Sequence, residues 1–339
     1  MNVQFAPVAK EPVIENEKCW ANSFTAFSTA LMKFMSVAEN LEELHLPLLE
    51  RNPAALRPVV DLICSESKNL YDLNLRHSHL GVEGAMVALK WTQQESCQLT
   101  TLNLNSTFNL EDLSSVNALA DACRGRSCPA LTSLDLTQCL NKVEEEGDPY
   151  PDQAVFRLPE VLLRPGWALQ VLNLSHQPDY MLCDIAVDSI CEAMQKQHSN
   201  STLGCQLRIL QLSDGMIGDE GACKLASLVK EPWSRLEEIH LDQNSIGDQG
   251  ILGFASAITS AQNKLKVLYL HGSDDSIGNL GIRAMLSAVM NGQATEVATK
   301  RVTCRLESLS LPECGDELFE LADGLAEALD KIGIEFYQE

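Results

Sequence analysis

Two short stretches, Ile239-His240-Leu241-Asp242 and Leu268-Tyr269-Leu270-His271, carry two imidazoles, a carboxylate and a phenol at matching positions. Two histidines and a carboxylate within reach of each other could hold a metal ion. A His–Asp pair could also move protons. With Glu238 and Gln211 alongside, the same groups form a hydrogen-bonding, partly aromatic anchor for a protein partner. The rest of the chain decides among these readings. No serine nucleophile has a histidine and an aspartate in a supporting order, and no glycine-rich phosphate loop ends in Lys-Ser or Lys-Thr. The sequence therefore assigns no catalytic residue, no metal and no cofactor, and reads the patch as a partner contact.

The spacing from Ile239 to Leu268 belongs to the whole chain. The pattern L-x-x-L-x-L begins at Leu41, Leu70, Leu99, Leu131, Leu169, Leu207, Leu236, Leu265 and Leu306. The steps from Leu41 to Leu70 to Leu99 equal those from Leu207 to Leu236 to Leu265. The steps between Leu99 and Leu207, and the one after Leu265, are longer. One unit length therefore recurs, with inserts elsewhere. Around each hexamer the apolar period is two, as in a short half-buried strand. Then comes a turn, written Leu80-Gly81-x-x-Gly84, Ile217-Gly218-x-x-Gly221, Ile246-Gly247-x-x-Gly250 and Ile277-Gly278-x-x-Gly281. A helical period follows, as in Ala222, Leu225, Ala226 and Val229. The glycines are expected to serve the bend and a close helix–strand approach.

These hexamers, with Ile217-Gly218-Asp219-Glu220-Gly221-Ala222, resemble the ribonuclease-inhibitor type of leucine-rich repeat over roughly residues 41–330. The resemblance implies an α/β solenoid, a horseshoe with parallel strands on its concave face and helices on its convex face. In that family an Asn or Cys often stands three residues after the last motif leucine. Here the series runs Leu49, Ser78, Thr107, Cys139, Gln177, Gly215, Asn244, Ser273 and Cys314, so irregular loops are expected.

The expected organisation has three parts. Residues 1–16 are extended or loosely ordered. Residues 17–40 form a helical cap on the apolar series Trp20, Phe24, Phe27, Leu31, Phe34 and Met35. Residues 41–339 form the nine-unit array, closed by a helix over Asp316–Lys331 that covers the last apolar face.

The strand face then offers one candidate surface: His45, Asn74, Arg76, Asn103, Asp135, Gln211, Glu238, His240, Asp242, Tyr269 and His271. Rim inserts offer a second, in which Asn141–Asp152 and His176–Asp184 present Tyr150, Tyr180 and Met181.

Charge bounds the partner. A net charge of −22 opposes nucleic acid and anionic lipid, and it complements a basic protein. No run of about 18 apolar residues spans a membrane. Twelve cysteines without a C-x-x-C pair, and no secretory leader, read as free thiols in a reducing, cytoplasmic setting. The expectation is a monomeric, non-enzymatic scaffold acting as inhibitor or sensor. Effectors that pathogens deliver into host cells use similar repeats. A separate reading follows from the activators of the Ran GTPase, which share the repeat type. It would make Arg76, beside Asn74, Asn103 and Asn105, the residue that acts on a small GTPase.

Overall fold

The structure, a computed structural model, describes residues 2–4, 29–30, 33, 41–46, 53–66, 69–78, 80–107, 130–139, 159, 162–163, 167–177, 182–202, 204–272, 278–294, 305–311, 326–327, 329–330 and 333–338. The chain divides into two compact units, Met1–Leu140 with Gly166–Ala168 and Asn141–Pro165 with Leu169–Glu339.

In the first unit, strands β1 (Asn2–Gln4), β2 (Glu43–His45), β3 (Asp72–Asn74), β4 (Thr101–Asn103) and β5 (Ser133–Asp135) pair in parallel in chain order. Helix α1 (Pro53–Glu66) follows β2, α2 (Gly81–Trp91) follows β3, and the two helices pack together. The second unit alternates more fully. Its order is β6 (Val171–Asn173), α3 (Asp184–Asn200), β7 (Ile209–Gln211), α4 (Asp219–Val229), β8 (Glu238–His240), α5 (Asp248–Ile258), β9 (Val267–Tyr269), α6 (Asn279–Ala294), β10 (Ser308–Leu311) and β11 (Glu335–Gln338). Strands β6 to β11 are again parallel neighbours in chain order, and α3 to α6 pack each on the next. A parallel pair needs a crossover, and the described helices supply it from β2 to β4 and from β6 to β10. The fold is a leucine-rich-repeat solenoid of the α/β class.

The three-residue strands show why the hexamer repeats. The middle residue is buried and its neighbours are half-buried in β2 to β9. Leu44, Leu73, Leu102 and Leu134 are fully buried in one unit, as are Leu172, Leu210, Ile239, Leu268 and Leu309 in the other. Each such side chain contributes about 1.5–3 kcal/mol by leaving water. Ala222, Leu225, Ala226 and Val229 form the inward stripe of α4, as their spacing predicts.

Two strands lie outside the nine hexamers. Within residues 1–16, Asn2–Gln4 is a strand whose Val3 pairs with Leu44. After the expected closing helix, β11 pairs Phe336 with Leu309. Both keep an apolar residue between polar ones but lack the flanking leucines, so the motif could not reveal them. Of the expected N-terminal cap, Thr29, Ala30 and Lys33 are described and helical. Of the closing helix, Ala326, Glu327, Leu329 and Asp330 are described and helical. The rest of both lies outside the described residues.

In three of the four turns the glycines serve an approach other than the helix–strand one expected, whereas Gly84 faces Leu80 of its own turn. Asp184 Oδ1 accepts from the Gly218 and Gly221 N–H groups at 2.7 and 2.9 Å. Asp219 Oδ1 does the same for Gly247 and Gly250, at 2.8 and 2.7 Å, and Asp248 Oδ1 for Gly278 and Gly281, both at 2.8 Å. The aspartate in the first turn of one helix thus caps the start of the next, where amide donors and the helix dipole favour negative charge. A Cβ at Gly221 would stand 2.6 Å from that Asp184 oxygen. The close neighbour is the carboxylate of the preceding repeat, not a strand.

The uneven series after the last motif leucine closes its loops by different chemistry at each step. Ser78 Oγ donates to Leu46 O at 3.1 Å, and Thr107 Oγ1 to Leu104 O at 2.7 Å. Cys139 Sγ reaches Leu104 O at 3.0 Å, and Gln177 Nε2 donates to Ser175 O at 3.1 Å. Asn244 does most. Its amide donates to Leu212 O, Leu241 O and Asp242 O and accepts from the Ile217 N–H. Gly215 leaves room for it, because a Cβ there would lie 3.0 Å from Asn244 Oδ1.

Candidate protein-binding site

Strand alternation turns Glu238 and His240 to the opposite face from Ile239, and Tyr269 to the opposite face from Leu268. Register then sets neighbours, with Gln211 beside His240 and His240 beside Tyr269. The His240 and Tyr269 rings meet edge to face, 4.8 Å apart at 75°. Ser308 Oγ donates to Tyr269 Oη at 3.2 Å and fixes the phenol from the other side.

Just past the strands, Asp242 is 8% exposed and gathers donors. His271 Nδ1 lies 2.6 Å from Asp242 Oδ1, and the His271 N–H approaches the same oxygen at 3.3 Å. Ser213 Oγ approaches Oδ2 at 3.3 Å and Ser310 Oγ approaches Oδ1 at 3.4 Å. This carboxylate is held from three strand ends. Ser310 Oγ is also 3.4 Å from His271 Nδ1. Serine and aspartate therefore face the same ring nitrogen, whereas a nucleophilic relay needs them on opposite nitrogens. Among the described residues no group of three or more His, Cys, Asp or Glu could hold a metal ion.

His240 differs. Its Nε2 is buried and has no hydrogen-bond partner among the described residues, with Glu238 Oε2 3.8 Å away. Leaving such an atom unpaired costs about 1–3 kcal/mol.

The corresponding positions on β3 to β6 are committed to their own backbone. Asn74 Oδ1 accepts from the Arg76 N–H at 3.1 Å, and Asn103 from Asn105 at 2.9 Å. Asp135 accepts from Thr137 at 2.9 Å and Asn173 from Ser175 at 2.9 Å. Asn103 Nδ2 also donates to Asp135 Oδ2 at 3.0 Å. Each is an Asx turn that ends its strand. His45 stands 3.8 Å from Asp72, and Arg76 is exposed with no ion pair among the described residues. The structure thus brings together Gln211, Glu238, His240, Asp242, Tyr269 and His271 and leaves the first-unit candidates as turn formers or isolated charges. Tyr150, Tyr180 and Met181 lie outside the described residues.

Three features were not singled out in the sequence. Ser213 and Ser310 anchor the acid, although their places on the strand face were visible. A charge ladder runs along the residues just before the strands: Arg208 grips Glu237 with two bonds of 2.9 and 2.8 Å, and Lys266 stands 3.3 Å from Glu237 and 3.9 Å from Glu307. Its alternating signs were readable at those positions. Lastly, His77, Ser106, Gln138, His176, Asp214 and Gln243 all have φ between 53° and 59°. These left-handed residues follow β3 to β8 without glycine, whereas Gly272 takes the same place after β9 with φ 68°, and no residue-type signal marked the six. Two of them pair, His176 Nδ1 lying 2.9 Å from Asp214 Oδ2.

Repeated strand–helix units with an Asp relay between helices and an exposed polar strand face define a leucine-rich-repeat protein, a class of protein-binding scaffolds. No family model matches the chain. Its relatives place it in the ribonuclease-inhibitor-like type of that class. It is 25% identical to the ribonuclease inhibitor of Sus scrofa over 272 residues, covering 78% of this chain and 51% of that protein. The Mus musculus ribonuclease inhibitor is 25% identical over 256 residues, covering 74% of this chain and 49% of the relative. NACHT, LRR and PYD domains-containing protein 12 of Mus musculus is 25% identical over 251 residues, covering 74% and 20%. The chain spans about half the length of the ribonuclease inhibitors that it matches. No helix of the described residues is long and apolar enough to cross a membrane.

Proposed function

We propose that this protein is a non-enzymatic inhibitor or sensor that acts as a monomer and binds a basic protein through the strand face of β7 to β9. The observation that carries this reading is the state of that face. Glu238, His240, Asp242, Tyr269 and His271 are fixed by one another and by serines, so little side-chain freedom is lost on binding. Rigid aromatic and acidic groups of this kind make binding hot spots. Similarity to ribonuclease inhibitors supports a protein as the ligand. The seven described cysteines that are free thiols fit a cytoplasmic setting.

The net charge of −22 points to a basic partner and to association speeded by charge. The test is binding of a basic pancreatic-type ribonuclease and of a second basic protein, each at low and high salt. The expected result is affinity that falls as salt rises and falls again in His240→Ala and Tyr269→Ala. Binding indifferent to both salt and these substitutions would remove the reading.

The exposed Arg76 favours a second reading, a regulator of a small GTPase. A GTP-hydrolysis assay with the parent chain and Arg76→Ala decides it. No stimulation by the parent ends it.

A further inference from the structure

We infer that His271, held by Asp242, is the acceptor for one cationic side chain of the bound protein, a lysine or an arginine. This rests on the scaffold reading and names what its strand face recognises. A ring nitrogen 2.6 Å from a carboxylate oxygen carries the proton, since two lone pairs would repel at that distance. Asp242 is anchored by Ser213, Ser310 and the His271 N–H, so it cannot swing away from the ring. In the neutral ring with its proton on Nδ1, which the inference requires, Nε2 is a bare acceptor on the side away from Asp242. The side chain is 34% exposed, and Nε2 has no partner among the described residues. Only a donor satisfies it.

Charge selects among donors. Glu238, 36% exposed, and Asp242 leave the site negative. The nearby cations Arg208 and Lys266 are already spent on Glu237 and Glu307. Asp242 and the uncharged Ser310 face the His271 ring, and the next groups along the face are His240 of β8, Tyr269 of β9 and uncharged Ser308 of β10. No described cation competes with an incoming one.

The test begins with the full chain alone. ¹⁵N imidazole NMR should show His271 as the Nδ1–H tautomer, and an Nε2–H tautomer would overturn the inference. The chain is then titrated with N-acetyl-arginine amide, with N-acetyl-norleucine amide and N-acetyl-glutamate as controls. The arginine compound alone should shift Tyr269 and His240 in a saturable way. Losing a hydrogen bond to a charged group should make its binding about tenfold weaker in His271→Ala. Glu238→Gln, at an exposed position that does not threaten folding, should weaken it by a smaller factor. Equal response to the glutamate compound, or an unchanged response in both variants, would overturn the inference and leave the scaffold reading standing. If the tautomer and the arginine response are as expected but no basic protein binds, the scaffold reading fails instead.

Discussion

Asn74, Asn103 and Asp135 in the first unit stand at the same register position as Gln211, His240 and Tyr269 in the second. The first three bend back and accept a hydrogen bond from the backbone two residues on. The other three lie outside that turn, and one of them, His240, keeps a buried nitrogen unpaired. One repeat architecture therefore uses one position in two ways. Where the residue is Asn or Asp, it ends the strand and stabilises the repeat. Where the residue is longer or aromatic, it leaves that turn, and His240 and Tyr269 meet each other across adjacent strands. The polar strand face is not uniform, and the binding proposed above uses the part of it on β7 to β9.

The loop residues behind the strands show the same division, and the largest expected effect lies there. Asn244 makes four hydrogen bonds at 2% exposure, whereas the side chain of the equivalent Thr107 donates to Leu104 O at the same exposure. Asn244→Ala should cost about 3 kcal/mol and Thr107→Val about 1 kcal/mol, because buried groups left unpaired carry the larger penalty. Urea unfolding measures both. Equal costs would show that the loops close equally well whatever residue stands there.

Next in size is the aspartate relay of the second unit. Asp248→Ala removes two charge-assisted bonds to Gly278 and Gly281, at a cost of about 2 kcal/mol. Val82 holds the matching place in the turn Leu80–Gly84 of the first unit, so α2 carries no such carboxylate there. Val82→Ala should cost less than Asp248→Ala, as compared by the same unfolding curves.

These cases show how far the sequence could be read. Leucine spacing revealed the repeat class because burial of one residue per strand is a local, periodic demand. Strands β1 and β11 escaped because Val3 and Phe336, paired with Leu44 and Leu309, stand outside any copy of the motif. The glycine pairs were visible, but their partner was not. Asp184, Asp219 and Asp248 act on amides of the next repeat, a relation set by stacking and not by neighbouring residues. At the site, His240, Asp242, Tyr269 and His271 were legible from type and spacing. Their division of labour was not, since it depends on Ser213, Ser308 and Ser310 reaching across strands. That Asn74 and Asn103 are turn formers was also hidden, because an exposed asparagine reads alike whether it is free or bent back.

Binding separates the two regions at intermediate size. Glu238→Gln should weaken a basic protein by about five- to tenfold, in line with loss of one charge near a donor. Asn103→Ala should leave affinity unchanged and cost about 0.5–1 kcal/mol of stability through its lost turn bond. Titration calorimetry beside thermal unfolding resolves the two. Equal losses of affinity would mean that the Asx strip also touches the partner, and the contrast between that strip and β7 to β9 would fail.

The smallest effects lie in the row just before the strands, and there pH distinguishes the regions. In the second unit Glu237 is held below the usual carboxylate range, chiefly by its bonds to Arg208 and then to Lys266. A depressed acid contributes stability that is present above its unfolded pKa of about 4.3 and lost as pH falls through the lower folded value. Arg208 is 48% exposed and Glu237 22%, so water screens the pair and the contribution is a few tenths of a kcal/mol. In the first unit the same row holds Tyr71, whose phenol is pushed up to about 12 by its hydrogen bond to Glu43. A raised acid contributes stability that is present below its unfolded pKa of about 10 and lost as pH rises through the folded value. Glu237→Gln should therefore flatten only the acid limb of the stability curve, and Tyr71→Phe only the alkaline limb. Chemical unfolding at a series of pH values reads both. A Glu237→Gln curve parallel to the parent at low pH would show that the ladder of charges holds nothing in the folded state that water does not hold in the unfolded chain.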